Sequence, residues 1–81
     1  MLVPLYAFLA GDTLGLLVLM QDHETVADLA TRLVRAAAPR VAPVLPATVY
    51  HRGRKLDPGA TVAQAGLRAL DRVDVASERP A

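Results

Sequence analysis

The chain has 81 residues, a length at which a single core is small and rarely contributes more than about 3–5 kcal/mol, so association with a partner bears on stability. Nine basic residues against eight acidic ones leave a formal charge of +1, which excludes the strongly basic stripe of a nucleic-acid binder and the polybasic cluster of a membrane-surface protein. The absence of cysteine excludes disulfides, thiolate chemistry and the usual zinc-finger ligands.

Met1 to Ala10 is almost wholly apolar, and a second apolar run covers Leu14 to Met20. No positive charge precedes the first run, as a secretory signal would need, and Gly11-Asp12-Thr13 breaks the stretch before it reaches the length of a membrane helix. Two strands joined by a tight turn fit better, Val3 to Ala10 and Leu14 to Met20, with Pro4 at the start of the first, where a missing donor is tolerated. A cytoplasmic protein is expected.

Thr25 and Asp28 form a capping-box pattern, and Val26, Leu29, Ala30, Leu33, Val34 and Ala37 recur at helical spacing behind it. Asp28, Thr31, Arg32 and Arg35 fall on the opposite side, and Pro39 ends the helix. Pro39, Pro43 and Pro46 then stiffen a connecting loop. Thr48 to Arg52 alternates as a third strand, with Val49 and His51 inward and Thr48, Tyr50 and Arg52 outward. Gly53 turns the chain into a short strand at Lys55-Leu56, and Asp57-Pro58-Gly59 makes another turn. Thr61 to Gln64 opens a single helical turn ending at Gly66. Arg72 to Ser77 is the last strand, with Val73 and Val75 inward. The expected organisation is one α+β domain over residues 1–78 with a flexible tail at 79–81: a mixed sheet of four to five strands, covered on one face by one main helix.

No cluster in this sequence suits catalysis. A di-iron site needs a Glu-x-x-His pair on each of two helices, whereas neither Glu24 nor Glu78 has a histidine three residues on. His23, between Asp22 and Glu24, reads as part of a solvated loop, and His51 as a hydrogen-bonded residue at the margin of the core. Gly11-Asp12-Thr13-Leu14-Gly15 lacks the spacing and the following helix of a dinucleotide fingerprint.

The run His51 to Leu67 resembles the matching stretch of ubiquitin-like proteins, with Gly53, Leu56, Gly59, Thr61 and Leu67 in corresponding places and Thr25 opening the main helix. The resemblance implies a ubiquitin-like β-grasp. The chain ends Glu78-Arg79-Pro80-Ala81 without the Gly-Gly through which modifiers are activated, so that role is not expected.

A closer likeness is to the small gamma subunit of bacterial toluene and alkene monooxygenases (toluene monooxygenase system protein B). It rests on Pro4-Leu5-Tyr6-Ala7, Arg40-Val41-Ala42-Pro43, the run Thr61 to Leu67, and Val73-Asp74-Val75. Val44-Leu45-Pro46 departs from the more polar segment usual there. The resemblance implies a non-catalytic accessory subunit of a hetero-oligomer. It would dock on a large hydroxylase subunit that carries the di-iron centre, and would hold no cofactor or metal itself. The alternative expectation is a cytosolic ubiquitin-like component of a type VII secretion system.

Strand two points to where a partner binds. If Leu16, Val18 and Met20 face the helix, Gly15, Leu17 and Leu19 face outward, and strand one adds apolar side chains to the same side. A free sheet face is ordinarily polar. Eight of the nine basic residues are arginine, which follows from codon preference or from the suitability of arginine for interfaces. The expected partner interface is Leu17, Leu19 and Tyr50, with Arg52 and Arg54 at its edge.

Overall fold

The structure, a computed structural model, describes residues 1–40, 42 and 46–77. Strand β1 (Leu2–Leu9) and strand β2 (Gly15–Gln21) form an antiparallel hairpin, each shifted by one residue from its expected bounds. Gly11, at φ 90°, and an Asx turn, in which Leu14 N–H donates to Asp12 Oδ1 at 3.1 Å, shape the connection. Helix α1 (Val26–Ala37) begins at the expected cap: Asp28 N–H donates to Thr25 Oγ1 and Thr25 N–H to Asp28 Oδ2, both at 3.1 Å. Each such cap is worth about 1 kcal/mol.

Strand β3 (Ala47–His51) turns into β4 (Arg54–Lys55) through only Arg52 and Gly53, whose φ values of 55° and 78° are both positive. Such a turn matches the twist of the flanking strands. Arg52 is therefore a turn residue, a correction to its expected place as the last outward position of the strand. Strand β5 (Arg72–Ser77) closes the sheet in the order β2-β1-β5-β3-β4. The β1–β5 pair is parallel and the others are antiparallel, giving the mixed β-grasp sheet under one helix.

Val3, Leu5, Ala7 and Leu9 on β1, Val18 and Met20 on β2, Val49 on β3, and Val73 and Val75 on β5 all face α1. They meet Val26, Leu29, Ala30, Leu33 and Ala37 from the helix, whose Val34 is only partly buried. Burying a Leu or Val side chain contributes roughly 1.5–3 kcal/mol, so these positions hold the fold. The segment before β5 closes the core from the helix N-terminus. Thr61 and Gln64 cap one turn reciprocally, at 2.9 and 3.0 Å, and Val62 and Leu67 are buried from it. Ala60 and Pro58 carbonyls accept the N–H groups of Val26 and Ala27, which the helix itself leaves unpaired. Among the described residues no buried side-chain nitrogen or oxygen lacks a hydrogen-bond partner. Most of the proline loop (Val41, Pro43, Val44, Leu45) and the expected tail lie outside the described residues.

Candidate docking face

The side of the sheet away from α1 divides into two halves. Strand alternation places Leu2, Pro4, Tyr6 and Phe8 of β1 and Gly15, Leu17 and Leu19 of β2 on it. Tyr6 stands opposite Leu17, and Pro4 opposite Leu19. Leu70, in the loop before β5, is tied to the same strand: its N–H donates to Pro4 O at 2.6 Å, and its φ of 68° lies in the left-handed region that leucine rarely adopts. Leu17 is 54% exposed, Leu19 50%, Tyr6 46%, Leu2 51% and Leu70 57%, so large apolar side chains gather on the surface of one half. Contiguous apolar surface of this kind marks a binding site far more often than scattered exposed leucines do.

Phe8 separates this half from the rest. Its ring lies across Gly15, where an added Cβ would sit 2.5 Å from ring carbons. The Arg72 guanidinium lies over the same ring, 4.2 Å from its centroid, and Arg72 Nη2 donates to Asp74 Oδ1 at 3.0 Å. Beyond this strip the outer positions are Asp74 and Ala76 on β5, Thr48 and Tyr50 on β3, and Lys55 on β4. That half is polar and charged.

The structure thus brings together only part of the expected interface. Leu17 and Leu19 are adjacent outward positions and both exposed. Tyr50 shares their face but is half-buried, with β1 and β5 between it and β2, about 14 Å away at ordinary strand spacing. Arg52 occupies the β3–β4 turn. Arg54 stands across from His51 and so lies on the helix side of the sheet. Alternation puts apolar side chains of strand one on this face without saying which, and the pairing with β2 identifies them as Leu2, Pro4, Tyr6 and Phe8. Leu70 carried no signal, because nothing in its neighbours announces a left-handed leucine.

Two ion pairs brace the margins of the apolar half. Arg32 Nη2 lies 2.5 Å from Glu24 Oε2, while Glu24 Oε1 accepts the Gln21 N–H at 2.7 Å. Arg40 Nη2 lies 2.6 Å from Asp12 Oδ2, tying the β1–β2 connection to the residues after α1. The Arg32 hydrogen bond and the Gln21 N–H hold the Glu24 carboxyl below the usual carboxylate range, and Arg40 and the Leu14 N–H do the same for Asp12.

On the helix side, an aliphatic groove of about 480 Å³ runs between α1 and β3–β4, lined by Val26, Ala30, Val34, Val49 and Leu56. His51 Nε2 lies 3.4 Å from Asp71 Oδ2 at the margin of the core, and His23 is largely exposed. Among the described residues no three His, Asp or Glu side chains gather closely enough to hold a metal ion, and no helix is long and apolar enough to cross a membrane. What the surface offers is contact area.

Residues 2–76 match the family model described as toluene-4-monooxygenase system protein B. Among solved structures, the chain is similar to one in the toluene 4-monooxygenase HD complex with the inhibitor 4-bromobenzoate. That match has 23% identity and a TM-score of 0.88, over 96% of this chain and all of the other. It is also similar to the ubiquitin of Caldiarchaeum subterraneum, at 18% identity and a TM-score of 0.75 over 98% and 96% of the two chains. A protein designed on ubiquitin matches at 15% identity and a TM-score of 0.81, over 99% and 93%. These likenesses establish a ubiquitin-like fold. No curated protein matches the chain.

Proposed function

The chain belongs to the toluene-4-monooxygenase system protein B family, an accessory component of a monooxygenase, and from that premise we propose that it is the non-catalytic gamma subunit of a di-iron hydrocarbon hydroxylase. In this reading it docks on the large hydroxylase subunit, which carries the di-iron centre and the substrate pocket, and it supports hydroxylation or epoxidation without touching substrate. The family match favours this over a secretion-system role.

The observation that carries the docking surface is the apolar half of the outer face: Leu2, Tyr6, Leu17 and Leu19 stand exposed together on one side of the sheet, opposite the side that packs against α1, with exposed Leu70 tied by its main chain to Pro4. Aliphatic and aromatic anchors rimmed by charge have the composition of an interface centre. Tyr50, Arg52 and Arg54 are peripheral or absent from the contact.

Leu17→Asp with Leu19→Asp tests the reading. Neither side chain contributes to the core, so circular dichroism and the thermal midpoint stay close to those of the parent. Co-purification with the large subunit is lost. Normal co-purification of the doubly substituted chain would show that the partner binds elsewhere.

A further inference from the structure

The main chain of β2 offers a second kind of contact beside those side chains. Tyr6 N–H donates to Asp71 O at 2.9 Å and Pro4 O accepts from Leu70 N–H, so the even-numbered residues of β1 turn their main-chain groups toward β5. Val3, Leu5 and Ala7 are then the residues that ladder with Met20, Val18 and Leu16. It follows that Gly15, Leu17, Leu19 and Gln21 direct their N–H and C=O groups off the edge of the sheet.

Groups from beyond the strand occupy the C=O of Leu19 and both main-chain groups of Gln21. Leu19 O accepts from Arg32 Nη1 at 2.8 Å, and the Gln21 N–H donates to Glu24 Oε1 while its C=O accepts from Glu24 N–H at 3.0 Å. The opposite edge of the sheet is the two-residue β4, made of Arg54 and Lys55, and short basic strands discourage pairing. Only Gly15 to Leu19 remains open, with both groups of Leu17 and the N–H of Leu19 facing outward without a partner among the described residues. The open stretch is also apolar and uncharged, the kind of edge that proteins otherwise protect.

We infer that this stretch receives an extended segment of the large hydroxylase subunit, which adds to the sheet as a sixth, antiparallel strand paired with Gly15, Leu17 and the N–H of Leu19. The inference rests on the docking reading above and deepens it. Continuity selects this occupant. Leu17 and Leu19 present their side chains to the outer face and their main chain to the edge, so a partner covering the first lies beside the second. A second copy pairing β2 to β2 would instead set two apolar halves side by side and cover neither. The added segment carries apolar side chains on the side that continues Leu17 and Leu19, and it stops where Arg32 occupies Leu19 O.

The test uses the full 81-residue chain made by synthesis and ligation, with N-methyl-leucine at position 17. The change removes the outward N–H, keeps the side chain and breaks no bond to β1. Binding to the purified large subunit is expected to weaken about tenfold to a hundredfold, with circular dichroism unchanged. In the unmodified chain the Leu17 and Leu19 amides exchange rapidly when free and become protected in the complex. The Gln21 amide, already bonded to Glu24, changes little. A complex that forms with unchanged affinity, or with the Leu17 amide still exchanging, overturns the edge pairing and leaves docking intact. A failure of the unmodified chain to bind overturns both. A concentration-dependent dimer of the isolated chain with the Leu17 amide protected gives the edge to a second copy and also overturns the inference.

Discussion

The two halves of the outer face are built from the same pleated sheet and turn toward the same solvent, yet they differ in nearly every physical respect. On β1 and β2 the outward positions are Leu2, Pro4, Tyr6, Leu17 and Leu19, with Leu70 held beside them in a rare conformation. On β5, β3 and β4 they are Asp74, Ala76, Thr48, Tyr50 and Lys55. Phe8, in contact with both Gly15 and Arg72, marks the border. A sheet face that needed only solubility would be mainly polar and charged, as the second half is. In the docking reading proposed above, the first half answers to a partner and the second to solvent.

The largest expected effect separates the halves directly. Tyr6→Asp, like the paired substitution at Leu17 and Leu19, is expected to weaken binding to the large subunit by roughly thirtyfold or more, since buried anchors at interface centres contribute about 2–4 kcal/mol each. Tyr50→Ala in the charged half is expected to change affinity by less than about threefold, as rim contacts do. Titration calorimetry on the purified subunits measures both. Equal losses from the two would mean that the partner spans the whole face and that the border has no functional meaning.

Moving the border itself comes next. Gly15→Ala sets a methyl group where the Phe8 ring now lies, 2.5 Å from its carbons, so the ring must swing away and leave its stack with Arg72. The cost is about 1 kcal/mol, equivalent to a fall of roughly 4–8 °C in the thermal midpoint of a domain this size. An unchanged midpoint would show that Phe8 gives way freely and divides nothing.

The braces of the apolar half make its stability depend on pH in a definite direction. Glu24 and Asp12 titrate below their ordinary range when folded, chiefly through hydrogen bonds from Arg32 and Arg40 respectively. A carboxyl whose folded pKa is depressed stabilises the fold fully above its unfolded pKa and loses that contribution as pH falls through the folded value. Urea midpoints are therefore expected to stay level from pH 7 to pH 5 and to decline below about pH 4. Glu24→Gln lowers the midpoint at pH 7 and flattens part of that decline. A variant with the parent's full acid slope would show that the Glu24–Arg32 pair is incidental.

Much of this arrangement was legible in the sequence, and the parts that were not share a physical cause. The capping pairs Thr25–Asp28 and Thr61–Gln64, the helical stripe and the inward Val73 and Val75 of β5 are local signals, and each appears where the spacing places it, whereas β1 is apolar on both faces and its spacing leaves the inward set open. The outward direction of Leu17 and Leu19 follows from two-residue alternation alone. Which strands lie side by side does not. Alternation groups Tyr50 with Leu17 because both face outward, but the parallel insertion of β5 beside β1 sets two strands between them. The division of the face is thus a product of topology, which alternation cannot report. Leu70 is hidden for a different reason, since a left-handed backbone, found where its N–H donates to Pro4 O, is not signalled by its own residue type.

Arg52 gives the smallest effect and a clean control on the charged half. At φ 55° beside Gly53 at 78°, it fills the first central position of a two-residue turn that asparagine or glycine fills with less strain. If the side chain served the partner, strain at this position would be the cost of presenting it. Because it sits at the tip of the β3–β4 turn, remote from Leu17, the strain has no such return. Arg52→Asn is accordingly expected to raise stability by about 0.5–1 kcal/mol in urea unfolding and to leave affinity for the large subunit unchanged. A loss of binding without a loss of stability would restore Arg52 to the interface and extend the contact across the border that Phe8 marks.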